Sequence, residues 1–571
     1  MSYRSPVADI LFSLKAVADL PEMIESGLDR DFDLETLSSV VSEAGRFASE
    51  EVAPLNRSGD IAGARYENGI VTTPPGFAAV YRRWAEAGWG GVSAPSEFGG
   101  MGLPHLVSVA CTEIWNGASM AFALCPLLTE SAIGALKSFG SRELLNAYLQ
   151  PMISGRWTGT MNLTEPQAGS DLSAVKTRAE RAPDGTYRLF GQKIFITYGE
   201  HDMAENIVHL VLARLPGAPP GTRGISLFLA PKYLPNADGS PGERNDLRCG
   251  GIEHKLGIHG SPTEGAKAWL VGEENRGLAA MFLMMNAARL AVATQGVAIG
   301  DRAYQQALAF ALERRQGRGR ESGADMSPII EHPDVQRMLM TMKAMVHAAR
   351  GVGHLTAAWL DLAAHGLSEK ERAEGHNRAA LLTPIAKAFS TDIGEEAASL
   401  GVQVHGGSGF IEDAGAAQHL RDSRIASIYE GTIGIQAIDL VQRKLPLNGG
   451  ETVAREITGV REIARAVGER GGEAFGRTAD RITEAAEALE LSTKRMQGWL
   501  RTDPESALAG ASPYLRLFGM TLGGDRSELG LVGFARFFAE KLLPVASGLA
   551  QAIASGAAPL MSYEAVLADT P

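Results

Sequence analysis

One carboxylate in this chain stands where a helical pattern breaks. In the segment RDSRIASIYEGTIGIQ, residues 421–436, apolar side chains recur at helical spacing up to Tyr429, Gly431 interrupts them, and Thr432 can cap the apolar helix that follows. Glu430 is therefore expected on a turn, beside apolar neighbours that remove water and make it a better proton acceptor. Such a carboxylate is a candidate general base. The alternative is an ordinary surface glutamate that answers the dipole of the next helix.

A second candidate is the basic run ERRQGRGR at residues 313–320, which contains Arg314, Arg315, Arg318 and Arg320. Guanidinium groups bind anionic oxygens bidentately, so the run is suited to a phosphate site. The run is also typical of a solvated helix end. The residues alone leave both interpretations open.

Composition excludes several classes of protein. With 571 residues, 45% hydrophobic and 21% charged, the chain predicts a globular protein of three or four domains. A net charge of −12 disfavours nucleic acid as the main partner. Three cysteines without a CxxC pair argue against a disulfide framework or a zinc site, and no metal is expected. The sequence contains no run of about 18 uncharged apolar residues, so no membrane span is predicted. The N-terminus lacks a cleavable leader pattern, and a cytoplasmic protein is therefore expected.

Common catalytic signatures are missing from the sequence. It has no HExxH, no GxSxG around a serine nucleophile, and no GxGxxG that opens a βαβ unit. The segment GSPTEGAK, residues 260–267, lacks the Gly-Lys-Ser/Thr of a phosphate loop. A dinucleotide, if one is bound, is not expected to be held in a Rossmann fashion.

The predicted secondary structure that positions these residues changes along the chain from helices to strands and back to helices. We predict an N-terminal arm and helical domain over residues 1–159, and a β domain over 160–277, where short runs such as TYRLFGQKIFIT and NIVHLVLARL read as antiparallel strands. Long helical patterns resume over 278–444. The stretch PLNGGET reads as a linker, and 451–571 forms a further helical segment.

Four motifs, taken in order, carry a resemblance to a known family. They are GWGGVSAPSEFGGMGLP at 88–104, LTEPQAGSD at 163–171, GQKIFITYG at 191–199, and VQVHGGSGF at 402–410 followed by IYEGT. From about residue 36 to 443 the chain resembles the FAD-dependent acyl-CoA dehydrogenases. The resemblance implies an α+β fold: an N-terminal helical domain, a central antiparallel β domain, a C-terminal four-helix bundle and, here, an extra C-terminal helical domain.

The resemblance also implies roles for individual residues. Glu430 would be the catalytic base. The substrate would contact Ser170, Arg289, Tyr429 and Gly431. The FAD would be held by Met161, Leu163, Thr164, Ser170, Phe195, Ile196, Thr197, Arg314, Gln403, Gly406, Gly407 and Thr432, with the segment of Gln403 approaching the FAD of a neighbouring subunit.

The implied reaction is α,β-desaturation of an acyl-CoA to a trans-2-enoyl-CoA. The implied partners are an acyl-CoA substrate, an electron-transferring flavoprotein and a second copy of the chain in a homodimer. The N-terminal arm and the extra C-terminal domain are similar to those of a longer bacterial branch acting on 3-methylmercaptopropionyl-CoA or on fatty acyl-CoAs. An acyl-CoA oxidase and a non-catalytic assembly protein are the alternatives of other classes.

Overall fold

The structure is a computed structural model that describes residues 3–18, 20, 23, 32–256, 261–319, 326–526 and 532–560, without the side chains of 261–265, 525 and 526. It divides into two compact units. One contains Ser2–Ser5 and Glu43–Ala291, and the other contains Met1, Pro6–Ser42 and Val292–Pro571. Helices Leu34–Phe47 and Gly277–Glu313 both run across the division. We call the first the sheet unit and the second the helical unit.

The sheet unit is built around a mixed sheet. Its main strands are β3 (Trp157–Asn162), β4 (Arg178–Arg181), β5 (Tyr187–Ile196), β6 (Asn206–Arg214), β7 (Ile225–Pro231) and β10 (Ser261–Val271). Small hairpins are formed by β1 (Arg65–Glu67) with β2 (Ile70–Thr72) and by β8 (Tyr233–Pro235) with β9 (Pro241–Arg244). The strands expected from the short runs TYRLFGQKIFIT and NIVHLVLARL are confirmed as β5 and β6.

Strand pairing differs from the expectation in one respect. Strands β4, β5, β10, β7 and β6 pair in a closed ring, mostly antiparallel, around a core that includes Leu189, Phe228 and Ala268. Strand β3 is added to β6 in parallel, and the single β4 pairing with β6 is also parallel. The predicted antiparallel β domain is confirmed for the ring, and β3 is an addition that the sequence did not reveal. Trp157 of β3 pairs with Asn206, 49 residues further along the chain and beyond the reach of turn signals.

Helices Met120–Phe139 and Arg142–Ile153 pack against β3 of the sheet. The sheet unit also contains helices Pro54–Ala62, Phe77–Glu86 and His105–Ala118. A second core joins helix Met120–Phe139 and the start of Gly277–Glu313 to the strands, with Trp157 and Met161 of β3 inside it. Because all six residues of β3 are buried, this strand is fixed from both faces.

The helical unit is a bundle to which the C-terminal helices are joined. Its helices are Val7–Ala16, Pro333–His365, Glu369–His405, Ala416–Ser423, Ile433–Asp439, Glu451–Arg470, Thr478–Thr502, Pro504–Ala509, Ala511–Arg526, Val532–Phe537 and Val545–Ala554. Helix Gly277–Glu313 crosses Glu369–His405 at Gly296, where a Cβ would lie 2.1 Å from the Ser390 carbonyl oxygen. Glycine is therefore required for the two backbones to approach this closely.

The N-terminal and C-terminal segments pack on the bundle within this unit. Lys343 pairs with Asp9 of the N-terminal helix (2.6 Å) and with Asp301 (3.7 Å). Helix Ala511–Arg526 packs on Pro333–His365, Glu369–His405 and Ile433–Asp439. The α+β prediction with an additional C-terminal helical segment is confirmed.

Two helices, Met120–Phe139 and Gly277–Glu313, have the length and mean hydropathy of a membrane span. In their most apolar windows, however, 72% and 56% of the residues are buried inside the protein. Core helices of globular proteins meet the same criteria of length and composition, so this resemblance to a span is weak evidence for one.

Candidate active site

The Glu430 carboxylate lies on a backbone turn, as the sequence predicted. Glu430 has a φ of 55° and Gly431 a φ of 86°. A left-handed conformation is uncommon for a residue with a Cβ and costs roughly 1–3 kcal/mol, so it persists only where the surroundings impose it. The turn is closed by a bond from the Ile433 N–H to the Ser427 carbonyl (3.2 Å). Strain of this kind at a carboxylate is an observation that points to function.

Thr432 begins the next helix, also as predicted. Its side chain accepts a hydrogen bond from the Ile435 N–H (3.2 Å), and helix Ile433–Asp439 follows. The Gln436 side chain on that helix donates to the carbonyls of Glu430 (3.1 Å) and Gly431 (3.3 Å). Two features of this helix therefore stabilise the turn: the cap at Thr432 and the side-chain amide of Gln436.

Tyr429 belongs to the same turn. Its hydroxyl donates to the Gln295 side-chain oxygen. Burial, together with the nearby Glu430 carboxylate, raises the pKa of Tyr429 well above its ordinary value, although the bond to Gln295 opposes the shift. Tyr429 is therefore a neutral hydrogen-bonding group and takes no proton from a substrate near neutral pH.

In the sheet unit, the residues predicted to lie along a flavin follow the ends of β3 and β5. Met161 is the buried penultimate residue of β3, and Leu163 and Thr164 directly follow the end of the strand. The Ile194 N–H donates to the Thr164 carbonyl (2.9 Å), which joins the two segments. The Lys193 ammonium donates to the Leu163 carbonyl (2.9 Å). The structure thus brings Met161, Leu163 and Thr164 together with the end of β5.

A buried carboxylate, Glu165, organises this junction. It accepts hydrogen bonds from Lys193 (2.8 Å), from the Thr177 N–H (3.0 Å) and hydroxyl (2.6 Å), and from the Lys176 N–H (2.8 Å). Burial by itself raises the pKa of Glu165, but Lys193 and these donors outweigh it and bring the pKa to about 2. Burial lowers the pKa of Lys193 to about 8 against the opposing effect of Glu165. The pair is ionised at neutral pH.

The opposite face of β3 carries a buried polar row. Thr158 bonds the His201 ring (2.9 Å), and Thr160 bonds the His209 ring (2.8 Å). Burial, helped by the Lys232 charge, lowers the pKa of each histidine to about 3. Both rings are neutral hydrogen-bonding partners of the strand that leads to Met161.

Because the pKa values of His201 and His209 are lowered in the folded protein, we expect its stability to depend on pH. Their pKa values are about 3 in the folded protein and near 6.5 when unfolded, so the unfolded chain binds more protons between these limits. The free energy of unfolding should fall as pH drops below about 6.5, by up to about 1.4 kcal/mol per pH unit for each histidine. Urea unfolding at pH 7.5 and 5.5 measures this. His209→Gln should show a smaller loss than the wild type, and equal losses would contradict the prediction.

Phe195 and Thr197 lie at the end of β5, where the chain turns. Phe195 has a φ of 59° and is 65% exposed, an unusual combination for an aromatic residue in a sheet. Tyr198, at a φ of 53°, donates its hydroxyl to the Ala121 carbonyl (2.6 Å) and anchors the turn. An exposed, conformationally fixed ring suits the face of a planar ligand. Ile196, between Phe195 and Thr197, is buried.

Ser170 lies in the exposed part of the TEPQAGSD loop. The Asp171 carboxylate accepts the Ser173 N–H (2.8 Å) and begins a short 3₁₀ helix after it. Arg289 is only 4% exposed, and its guanidinium donates to Asn286 Oδ1 (3.1 Å). Both residues belong to the sheet unit.

The remaining predicted cofactor residues are exposed in the helical unit. Arg314 directly follows the end of helix Gly277–Glu313, and its carbonyl accepts the Ile329 N–H (2.8 Å). Arg320 lies outside the described residues. Gln403 is exposed near the end of helix Glu369–His405, and a Cβ added at Gly406 or Gly407 meets no atom within 4 Å. These positions leave space for a ligand or another chain to approach the backbone.

The residues present therefore fit an FAD. Phe195 offers an aromatic face, Arg314 an exposed cation for a pyrophosphate, and the paired glycines an open backbone. Within the described residues, no group of three or more His, Cys, Asp or Glu side chains is placed to hold a metal ion.

Sequence reasoning missed four residues that hold the site. They are Glu165, Lys193, Lys387 and Gln436. The first two stand inside motifs that were recognised, so a buried charge of each sign in neighbouring motifs was an available signal. Lys387 and Gln436 have no such local signal.

Comparison with known proteins identifies the class. Sequence profiles for the acyl-CoA dehydrogenase N-terminal, middle and C-terminal domains match residues 35–156, 160–267 and 275–445. A profile described as acetyl-CoA dehydrogenase C-terminal like matches 453–526. The chain belongs to the acyl-CoA dehydrogenase family, and it is an FAD-dependent oxidoreductase acting on acyl-CoA.

Individual relatives narrow the comparison. The chain is 48% identical over 543 residues to 3-methylmercaptopropionyl-CoA dehydrogenase of Ruegeria pomeroyi, covering 94% of this chain and 91% of that protein. It is 32% identical to a butyryl-CoA dehydrogenase of Syntrophomonas wolfei, covering 92% and 88%. The structure of an acyl-CoA dehydrogenase complexed with FAD from Bacillus anthracis matches with a TM-score of 0.73 at 22% identity, covering 92% and 88%. The predicted family, activity and cofactor are confirmed.

Proposed function

We propose that this protein oxidises 3-methylmercaptopropionyl-CoA to the corresponding trans-2-enoyl-CoA, with Glu430 as the base. The observation that carries the choice of substrate is the 48% identity to the Ruegeria pomeroyi enzyme over nearly the full length of both chains. The observation that carries the choice of base is the strained turn, which places a carboxylate on a left-handed residue with its carbonyl held by Gln436.

For this reaction the protein's own residues must provide a base and must polarise the thioester carbonyl. A proton α to a thioester is weakly acidic, so a positioned carboxylate must accept it while the carbonyl oxygen is polarised. In the proposal, Glu430 accepts the α proton and its backbone N–H polarises the carbonyl. When bound, FAD supplies the acceptor for the β hydride. The substrate loses one proton and one hydride, and a carbon–carbon double bond forms.

The other predicted residues take supporting roles in the proposal. The flavin would be held by Met161, Leu163, Thr164, Ser170, Phe195, Ile196 and Thr197. Arg314, Gln403, Gly406, Gly407 and Thr432 would hold the rest of the cofactor. Ser170, Arg289, Tyr429 and Gly431 would contact the substrate. Electrons would pass to an electron-transferring flavoprotein, and we propose a homodimer in the cytoplasm.

An anaerobic titration with a matched pair of substrates tests the proposal. Pentanoyl-CoA has the same chain length as 3-methylmercaptopropionyl-CoA, with a methylene in place of the sulfur. Because an apolar pocket discriminates weakly between near-isosteres, we expect both to bleach the flavin band. The thioether should have the higher kcat/KM, by a factor of up to about 10.

Butyryl-CoA and dodecanoyl-CoA complete the series, and both should be poorer substrates. Preference for a straight-chain acyl-CoA would overturn the thioether assignment in favour of fatty acid oxidation. Rapid oxygen consumption during turnover would indicate an oxidase. Bound flavin that none of the four compounds bleaches would overturn the proposed reaction.

A further inference from the structure

A fully buried lysine lies beneath the turn that carries Glu430. Lys387, in the middle of helix Glu369–His405, has no exposed surface, and its ammonium donates to the Gly431 carbonyl (2.8 Å). Lysine is almost never fully buried unless it is paired, because desolvating an ammonium is costly. A buried ammonium aimed at a backbone carbonyl beside the catalytic carboxylate therefore requires an explanation.

A carboxyl group lies within electrostatic range of this ammonium. Asp392, five residues further along the same helix, feels the Lys387 charge: burial raises the pKa of Asp392 to about 6, while Arg516 and Lys387 act to lower it. A carboxyl in this position supplies part of the counter-charge that a buried ammonium needs.

The carbonyl that Lys387 holds belongs to the strained part of the turn. Glu430 and Gly431 both have positive φ. Relaxation of Glu430 to an ordinary φ would rotate the adjoining peptide groups and redirect its side chain. The Gly431 carbonyl would then leave the Lys387 ammonium, and both carbonyls would leave the Gln436 amide. Hydrogen bonds from a charged donor are stronger than those from an amide, so Lys387 is the main restraint.

We propose that Lys387 is a positioning residue for the reaction: its ammonium holds the Gly431 carbonyl and thereby keeps Glu430 in the left-handed conformation that aims the carboxylate. The inference rests on the proposed function of Glu430 as the base. It assigns to Lys387 no contact with substrate or cofactor and no transfer of a proton.

Substitution of Lys387 by methionine is the direct test, since methionine fills similar space without a donor. Single-turnover flavin reduction by 3-methylmercaptopropionyl-CoA should slow by about 10- to 100-fold. The substrate dissociation constant should stay within about 2-fold, and the FAD content should not change. Lys387→Gln, which keeps a neutral donor, should recover part of the rate.

The control is another largely buried lysine of the same unit. Lys343→Met removes the ion pairs to Asp9 of helix Val7–Ala16 and to Asp301 of helix Gly277–Glu313 and leaves the bonds to the turn in place. It should lower the thermal midpoint and leave the reduction rate unchanged. If Lys387→Met does not fold, Gln436→Leu removes the weaker donor to the same carbonyls and should slow reduction to a smaller extent, again without changing substrate affinity.

The outcomes separate this inference from the one on which it rests. Normal reduction by folded Lys387→Met overturns the positioning role, as does a loss of rate that is explained by lost FAD. Glu430→Gln is measured beside it. If Glu430→Gln also reduces its flavin normally, the base assignment itself is wrong, whereas an inactive Glu430→Gln beside a fully active Lys387→Met rejects the positioning role alone.

Discussion

Replacement of Glu430 by glutamine is expected to leave FAD bound and to slow substrate-dependent flavin reduction by about 10²- to 10⁴-fold. The amide has nearly the shape of the carboxylate but cannot accept a proton, and positioned general bases contribute roughly 10²–10⁴-fold. Because the backbone bonds to the turn come from Lys387 and Gln436, the variant should keep its fold. Anaerobic stopped-flow absorbance of the flavin band measures the rate.

Two further variants sharpen the result. Glu430→Asp keeps a carboxylate on a shorter side chain and should retain a measurable rate, lower than the wild type. Glu412→Gln alters an exposed carboxylate that pairs with Arg421 (3.1 Å) in the same unit, and it should behave as the wild type. A Glu430→Gln protein that bleaches at the normal rate would show that another group removes the proton.

Replacement of Glu165 by leucine should cost about 3–5 kcal/mol of the free energy of unfolding, the cost of breaking a buried ion pair. The change leaves the Lys193 ammonium buried without its carboxylate and removes the acceptor of the Lys176 and Thr177 N–H groups. Since Lys193 of this pair holds the carbonyl of Leu163, a proposed flavin contact, FAD affinity should fall with stability. Urea unfolding and the flavin content of the purified protein measure the two effects.

Replacing Lys193 and replacing Glu165 should lower the free energy of unfolding by different amounts. Lys193→Met removes one of several donors to Glu165, whose carboxylate keeps Thr177 and Lys176, so it should cost less than Glu165→Leu. Glu165→Gln keeps the acceptor geometry without the charge and should fall between the wild type and Glu165→Leu. Equal losses in Lys193→Met and Glu165→Leu would show that the backbone donors contribute nothing, contrary to this account.

Local patterns in the sequence predicted much of the fold. Short runs rich in β-branched and aromatic residues predicted β5 and β6, and the capping residue Thr432 was found from its position before an apolar helix. These features depend on neighbours within a few residues, so the sequence shows them directly. The motifs then predicted the family, because their order along the chain is specific where each alone is not.

Features that depend on distant partners were not predictable in this way. The parallel addition of β3 to β6 is decided by packing between segments far apart in the chain. The bond from Lys387 to Gly431 joins residues 44 apart, and the Glu165 pair joins residues 28 apart. The left-handed conformation of Glu430 was also unforeseen, since intrinsic preference disfavours it for glutamate and only the surrounding donors impose it.

The backbone at Glu430 has a consequence for how this protein can be improved. A left-handed position is best suited to glycine, and next to asparagine, so glutamate is among the less stable choices there. Mutagenesis selected for thermal stability alone would favour replacing that side chain and would yield more stable proteins that lack the proposed base. A stabilisation programme for this protein therefore has to score turnover in every round and leave residue 430 unchanged.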